Sequence, residues 1–159
     1  MKIQQNVGIA NDSLKRMCGV SVMEAAVVWE LLLVSRKFLV FSRQSQMRAQ
    51  SKEVKAAIKQ RVKYLRQQIG YLEEILQNSG LPVPKTYPVD GEKIVFIDEA
   101  SIIRGFLHQV RERLTGLGYV IRSSVTGLPL RLVAAELMIE EMRQLEAICD
   151  GIKEQCMVK

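Results

Sequence analysis

Histidine is nearly missing from this chain, and its scarcity limits the kinds of metal site that the protein can form. The sequence of 159 residues contains a single histidine, His108. Helical bundles that hold two iron or manganese ions use inward carboxylates together with two Glu-x-x-His motifs. Gly105 stands three residues before His108, so the motif fails, and no second histidine exists. The usual dinuclear metal site is therefore excluded in its usual form.

Cysteines and long apolar runs are also few. Cys149 and Cys156 are seven residues apart, which separates them by roughly 10 Å along a helix, too far for a disulfide. No closely spaced cysteines or histidines suggest zinc. The richest apolar stretch, residues 25–34, contains Glu30 and falls short of the roughly 18 uncharged residues of a membrane span. The N-terminus lacks the apolar segment of a signal peptide. These features predict a soluble, cytoplasmic protein with free thiols and no membrane association.

Four long amphipathic segments are what the sequence does contain. Ser21 and Glu24 form a capping box before the first helix, which we expect to end between residues 44 and 48. From residue 25 to residue 34 this helix is apolar nearly all round, unlike a surface helix. The second helix follows Ser51 as N-cap and stops at Gly80. Its seam repeats every three or four residues and consists of Ile58, Val62, Leu65, Ile69, Leu72 and Leu76.

A row of basic residues runs beside that seam. Its members lie three or four residues apart and therefore share one helix face: Lys52, Lys55, Lys59, Lys63 and Arg66. Such a row can follow the phosphates of a nucleic acid or contact an acidic protein. Few aromatic residues are available to stack on bases, and no recognition motif is present. We therefore favour a solvated helix face over nucleic-acid binding.

A linker over residues 81–97 separates the two halves of the chain. Pro82, Pro84 and Pro88 favour an extended backbone. A linker of this length reaches about 50 Å, whereas the second helix is roughly 39 Å long. The third helix can therefore begin at the end where the second began. This predicts an all-α, ferritin-like four-helix bundle with one long crossover between helices 2 and 3, formed by residues 21–157 after an N-terminal segment of residues 1–20.

The second half predicts two further helices. Asp98 is the expected N-cap of the third, whose inner face is Ile103, Phe106, Val110, Leu114 and Leu117. Gly127 and Pro129 mark the start of the fourth. For the fourth helix we predict a core seam of Ala134, Met138, Met142, Leu145, Cys149, Ile152 and Cys156.

Carboxylates on these helices are the remaining candidates for a metal site. Those considered are Glu24, Glu30, Glu73, Glu74, Glu112, Glu136, Glu140 and Glu141. Glu136 and Glu140 share one face, and His108 and Glu112 share another. The heptad pattern places most of these groups outside the seams, so we expect solvated surface, no metal and no cofactor. No nucleophile with a neighbouring base and no phosphate-binding loop is present, so we expect no catalytic residue.

Three stretches carry a resemblance to a known family. They are the opening of helix 1 at residues 23–30, the end of helix 2 at residues 67–76, and the Gly-Leu-Pro-Val-Pro start of the linker at residues 80–84. Together they resemble one repeat of a ferritin-like family of spore-forming bacteria, some of whose members are spore-coat-like. Many ferritin-like relatives have a histidine near the end of helix 2, where this chain has Gln68, Gly70 and Tyr71. The resemblance implies a fold and a spore-associated setting, with no functional residue carried over.

Together these observations predict a non-catalytic bundle acting as a structural or protein-interaction module. The alternatives are a degenerate iron- or manganese-binding bundle and a binder of nucleic acid or of an acidic partner. Because helix 1 is apolar around most of its girth, we expect a homodimer with helix 1 at or near the interface. Val34→Glu is the substitution expected to shift such a dimer toward monomer.

Overall fold

Four helices account for almost all of the described chain. The computed structural model describes residues 20–85, 98–123 and 126–157. Within these ranges the backbone contains no strand and forms α1 (Val22–Arg48), α2 (Lys52–Asn78), α3 (Glu99–Arg122) and α4 (Leu128–Met157). The prediction of an all-α, four-helix chain is confirmed. Residues 1–19 of the predicted N-terminal segment and residues 86–97 of the predicted linker lie outside the described residues.

The helices begin and end at the capping residues that the sequence predicts. Ser21 and Glu24 form the predicted capping box, with the Ser21 hydroxyl accepting from the Glu24 amide. Ser51 and Asp98 cap α2 and α3 in the same way. Gly80 follows α2 with a φ of 68°, a conformation that glycine adopts without the steric cost of a Cβ. Each of these predicted caps is confirmed.

Two contacts establish the direction of the helices. The Glu99 Oε1 atom, at the start of α3, accepts from the backbone amides of Gln50 and Ser51 at 2.9 Å, at the start of α2. The Glu24 Oε1 atom, near the start of α1, accepts from the Gly127 amide at 2.7 Å, just before α4. Helices α2 and α3 therefore run parallel, and α1 and α4 run parallel in the opposite direction. The end of α2 and the start of α3 therefore lie at opposite ends of the bundle.

The described part of the linker, residues 81–85, lies along α1. The Trp29 indole donates to the Pro82 carbonyl at 3.0 Å. Two turns further along α1, Arg36 donates to the Pro84 carbonyl at 2.6 Å and forms an ion pair with Glu73 at 2.7 Å. The described linker residues thus cover part of the outer face of α1, and α1 has less uncovered apolar surface than its sequence suggests.

The apolar core consists of three clusters. One surrounds Leu32, Leu72 and Leu117 near the start of α1, and another surrounds Ile58 and Phe106 near its end. A smaller third cluster, between these two, consists of Phe38, Tyr64 and Leu65. Leu65, in the middle of α2, is fully buried, as the α2 seam predicts. Within the described residues, no helix is long and apolar enough to cross a bilayer.

Ala134 is buried as predicted, but the next four positions of the predicted α4 seam are wrong by one residue. Met142 is 57 % exposed, and Met138, Leu145 and Cys149 are partly exposed. Besides Ala134, the buried positions are Leu130, Val133, Leu137, Glu141, Gln144 and Ile148. The sequence pattern misleads because α4 has apolar residues on two opposite faces, and charged Glu141 belongs to the inner one. The predicted seam positions 152 and 156 have no described side chain.

Candidate functional site

A polar layer crosses the middle of the bundle between the two end clusters, and every helix contributes to it. Three charged side chains form its centre: Arg61 of α2, Arg113 of α3 and Glu141 of α4. Arg61 and Glu141 have no exposed surface, and Arg113 is 2 % exposed. Side chains of this kind are almost never fully buried unless paired, because burial removes their hydration.

Glu141 joins the two arginines. Its Oε2 atom accepts from the Arg61 Nη1 atom at 2.7 Å, and its Oε1 atom lies 4.0 Å from the Arg113 Nε atom. Arg113 also donates from Nη1 to the Leu31 carbonyl of α1 at 3.0 Å. The pKa of Arg113 is lowered by burial, an effect that the nearby Glu141 carboxylate opposes.

Neutral polar groups extend the layer across α1 and α2. The Tyr64 ring lies 5.5 Å from the guanidinium of Arg61, and its hydroxyl accepts from Gln68 at 3.3 Å. The Gln68 carbonyl oxygen in turn accepts from Ser35 at 3.3 Å. Burial raises the pKa of Tyr64, with a further rise from the nearby Glu141 carboxylate, so its hydroxyl stays protonated at neutral pH. Tyr64 therefore adds no negative charge to the layer.

The charges of the layer do not balance. Arginine stays protonated in proteins, so even with Glu141 ionised the three groups total one positive charge more than negative. Several of their polar atoms have no hydrogen-bond partner among the described residues: Arg61 Nε and Nη2, Arg113 Nε and Nη2, and Glu141 Oε1. A metal cation does not fit here, since two guanidinium groups repel it. The layer suits an anion or a purely structural role.

The two pairs that share a helix face in the sequence, Glu136 with Glu140 and His108 with Glu112, were the candidates for metal ligands, and the structure does not bring the two pairs together. His108 is 78 % exposed and lies 4.0 Å from the Glu112 carboxylate on the outside of α3. Glu140, on α4, accepts from Arg143 at 3.2 Å and from Gln144 at 3.1 Å. Glu136 is partly buried, and that burial raises its pKa. Among the described side chains, no group of three or more His, Cys, Asp or Glu residues is placed to hold a metal ion.

The predicted basic row of α2 is exposed to solvent. All five of its members are exposed: Lys52, Lys55, Lys59, Lys63 and Arg66. Lys59, Lys63 and Arg66 line an open groove between α1 and α2, together with Gln46 and Gln67. Nothing in this groove is a buried polar group aimed at a ligand. The row is compatible with a solvated face and with a loosely held anionic partner, the two interpretations that the sequence left open.

The outer face of α4 is a feature that the sequence analysis missed. Four large apolar side chains along it are between 44 % and 69 % exposed: Leu128, Leu132, Ile139 and Met142. With Ala135 and Glu146 they repeat at steps of four and three residues. The buried face of α4 has the same spacing. The sequence of α4 contains two interleaved heptad patterns, one for each face. Treating them as a single core seam gave the wrong prediction.

The buried charges also carried a signal in the sequence. Val54, Ile58, Arg61, Leu65, Gln68, Leu72 and Ile75 follow one strict repeat of four and three residues along α2. Arg61 and Gln68 are in phase with this apolar seam, and Glu141 is likewise in phase with the buried positions of α4. These buried positions were not predicted, because charged residues were assigned to the surface by default.

No protein family, curated protein or solved structure matches this chain.

Proposed function

We propose that this protein is a non-catalytic, ferritin-like helical bundle, a structural and protein-interaction module that pairs with a second copy through the outer face of α4. The exposed heptad seam of α4 is the observation that carries the proposal. Monomeric proteins rarely expose a continuous apolar face of this length. A repeat of four and three residues is the spacing by which one helix packs along another.

A twofold antiparallel pairing of two α4 helices suits the charges beside the seam. When the helices cross between Glu140 and Glu141, Ile139 faces Met142 of the partner subunit. The same register places Glu136 beside Arg143 of the partner subunit, and the symmetry repeats that ion pair. A closed twofold contact is also the commonest way for a protein to cover one apolar patch. The described linker residues lie on α1 and leave this face uncovered.

The polar layer supports the non-catalytic part of the proposal. Ferritin-like metal proteins direct carboxylates and histidines into the middle of the bundle. In this chain the corresponding level contains two guanidinium groups and one carboxylate, which cannot attract a divalent cation. The topology, with α2 and α3 parallel across a long crossover, supports the ferritin-like relationship. A spore-associated, cytoplasmic setting is proposed from the sequence resemblance and the sequence composition.

Ile139→Glu should convert the dimer into a monomer. The substitution introduces two charges into one apolar interface, and we expect at least about a 100-fold weaker association. Sedimentation equilibrium on the full chain measures the dissociation constant, and circular dichroism checks that the helices persist. Met47→Glu is the matched control, because Met47 is a similarly exposed apolar residue on α1. Val34, considered from the sequence, is partly buried against the core and is a poorer probe.

A charge exchange tests the register. Glu136→Arg and Arg143→Glu should each weaken the dimer, and the double variant should restore it. Loss of the dimer in Met47→Glu but not in Ile139→Glu would place the interface on α1, as first expected from the sequence. A wild-type monomer at all concentrations would refute pairing. A dimer that appeared only after deletion of residues 1–19 would assign the covering role to that segment.

Metal content separates the proposal from a degenerate metal-binding bundle. Protein produced with iron and manganese supplied should contain well below one metal ion per chain, because the bundle centre is cationic and the outer carboxylates are dispersed. Inductively coupled plasma mass spectrometry measures the content. Stoichiometric iron or manganese that disappears in Glu136→Gln or Glu140→Gln would establish a metal-binding role instead.

A further inference from the structure

The basic row of α2 is joined in the structure by a further cation on α1. Glu73 of α2 forms an ion pair with Arg36 of α1 at 2.7 Å. Arg66 and Lys59 precede Glu73 by one and two heptads, so they have the same position in the repeat. Because α1 and α2 are antiparallel, the residue opposite Arg66 is Arg43, one heptad after Arg36. Arg43 and Arg66 are both exposed, so a second arginine stands where the level above has a carboxylate.

An open groove between α1 and α2 lies at this level. Its volume is about 460 Å³, and its lining consists of Gln46, Lys59, Val62, Lys63, Arg66 and Gln67. The lining thus contains three cations and two side-chain amides, and no carboxylate. Lysine, arginine and glutamine are all side chains that donate to phosphate oxygen atoms in nucleic-acid complexes. The groove therefore presents the donors that an anionic backbone requires.

No carboxylate balances the row. None of the residues three or four positions away from any of its five members is aspartate or glutamate. Within the described parts of the chain, no carboxylate forms an ion pair with the row or with Arg43. A solvated helix face usually alternates charges of both signs at this spacing, because like charges three or four residues apart destabilise a helix. An anionic partner relieves the repulsion that the row creates.

The shape of the row favours a nucleic-acid duplex as that partner. Lys52 and Arg66 are fourteen residues apart, so the row is straight and roughly 21 Å long. A duplex carries about one negative charge per 1.7 Å of its axis on its outer surface. The scarcity of aromatic side chains argues against single strands, whose bases stack on them, and not against a duplex. A membrane surface favours large apolar residues beside the cations, whereas glutamines line this groove.

We propose that the face formed by α1 and α2 binds the phosphate backbone of double-stranded nucleic acid, without recognising base sequence. Arg43, Lys59, Lys63 and Arg66 form the centre of the contact, and the remaining lysines of the row extend it toward the start of α2. Binding releases counter-ions from the phosphates, so its strength falls steeply with salt. The inference is independent of the pairing through α4, since none of these residues belongs to the exposed seam of α4.

Fluorescence anisotropy with labelled DNA and RNA duplexes of about 20 base pairs tests the wild-type chain. Four phosphate contacts should weaken binding on the order of 100-fold between about 50 mM and about 200 mM salt. Duplexes of scrambled sequence should bind equally well, because only the backbone is contacted. The absence of duplex binding at about 50 mM salt would overturn the proposal, and so would a strong dependence on base sequence.

A triple variant locates the contact. Lys59→Gln, Lys63→Gln and Arg66→Gln together should weaken duplex binding at least about 10-fold and reduce the salt slope by about 2–3. The matched control removes the same charge from three exposed arginines of α3, by Arg104→Gln, Arg111→Gln and Arg122→Gln, and should bind nearly as the wild type does. Circular dichroism checks that both variants are folded. Equal losses in the two triple variants, or no loss in the first, would refute a site on this face.

Two competing partners are tested with the wild type alone. Polyglutamate at the same concentration of charge should displace the duplex much less well than unlabelled duplex does. Displacement of equal strength would identify an acidic protein as the better partner and overturn the proposal. Vesicles of equal parts phosphatidylcholine and phosphatidylserine should bind more weakly than the duplex at the same salt concentration. Binding to these vesicles in preference to the duplex would assign the face to a membrane surface instead.

Discussion

Replacing Glu141 by glutamine should lower the free energy of unfolding by about 3–5 kcal/mol. The change removes the negative charge that joins Arg61 and Arg113, and both guanidinium groups then stay buried without a counter-charge on the protein. Glutamine has nearly the same shape as glutamate, so the loss reports charge and hydrogen bonding rather than packing. Urea denaturation followed by circular dichroism measures the effect, with the slope checked for two-state behaviour.

Glu140→Gln is the control for this experiment. Glu140 is the neighbouring residue, and its ion pair with Arg143 is partly exposed to solvent. Such surface pairs contribute about 1 kcal/mol or less, so the control should be nearly neutral. The triple variant Arg61→Met, Arg113→Met, Glu141→Leu should recover much of the lost stability, because well-packed apolar residues often replace a buried ion cluster without loss. Equal effects of the two glutamine substitutions would contradict the buried layer.

Leu65→Ala should cost about 2–5 kcal/mol of unfolding free energy. Leu65 is fully buried and packs with Phe38 and Tyr64, so the shortened side chain loses apolar contacts and leaves a cavity. Lys59→Ala, on the exposed row of the same helix, should change stability by less than about 0.5 kcal/mol. Denaturant unfolding measures both. Similar losses for the two variants would show that the inner and outer faces of α2 are exchanged.

Helix number, boundaries and direction were largely predictable from local signals. Ser21, Ser51 and Asp98 mark helix starts because a side-chain oxygen there satisfies amides that the helix leaves free. Gly80 marks a stop because it tolerates a positive φ. The length of the linker predicted that α2 and α3 run parallel, since residues 81–97 can reach the other end of the bundle. Each of these arguments uses interactions within a few residues or a simple limit on chain length.

The residues of the candidate site were harder to predict from the sequence than the helices were. Arg61 and Glu141 are 80 residues apart in sequence and 2.7 Å apart in space. Their phase with the apolar seams distinguishes Arg61 from the exposed Lys59 and Glu141 from the partly exposed Glu140, but only once it is known which face of each helix is buried. On α4 the sequence offered two apolar faces of equal spacing, and the choice between them rests on contacts with α2 and α3.

The amino-acid sequence was enough to predict an all-α chain of four capped helices, with a crossover long enough for α2 and α3 to run parallel, and it shows the lack of a Glu-x-x-His metal motif. These properties follow from backbone capping, heptad spacing and residue content, which are local. The packing of the helices was needed to show that Arg61, Arg113 and Glu141 meet in the core. It was also needed to show that the linker begins along α1 and that one face of α4 is exposed, with Leu128, Leu132, Ile139 and Met142. The reason is physical: a charge is buried, or an apolar residue exposed, only through the combined packing of all four helices.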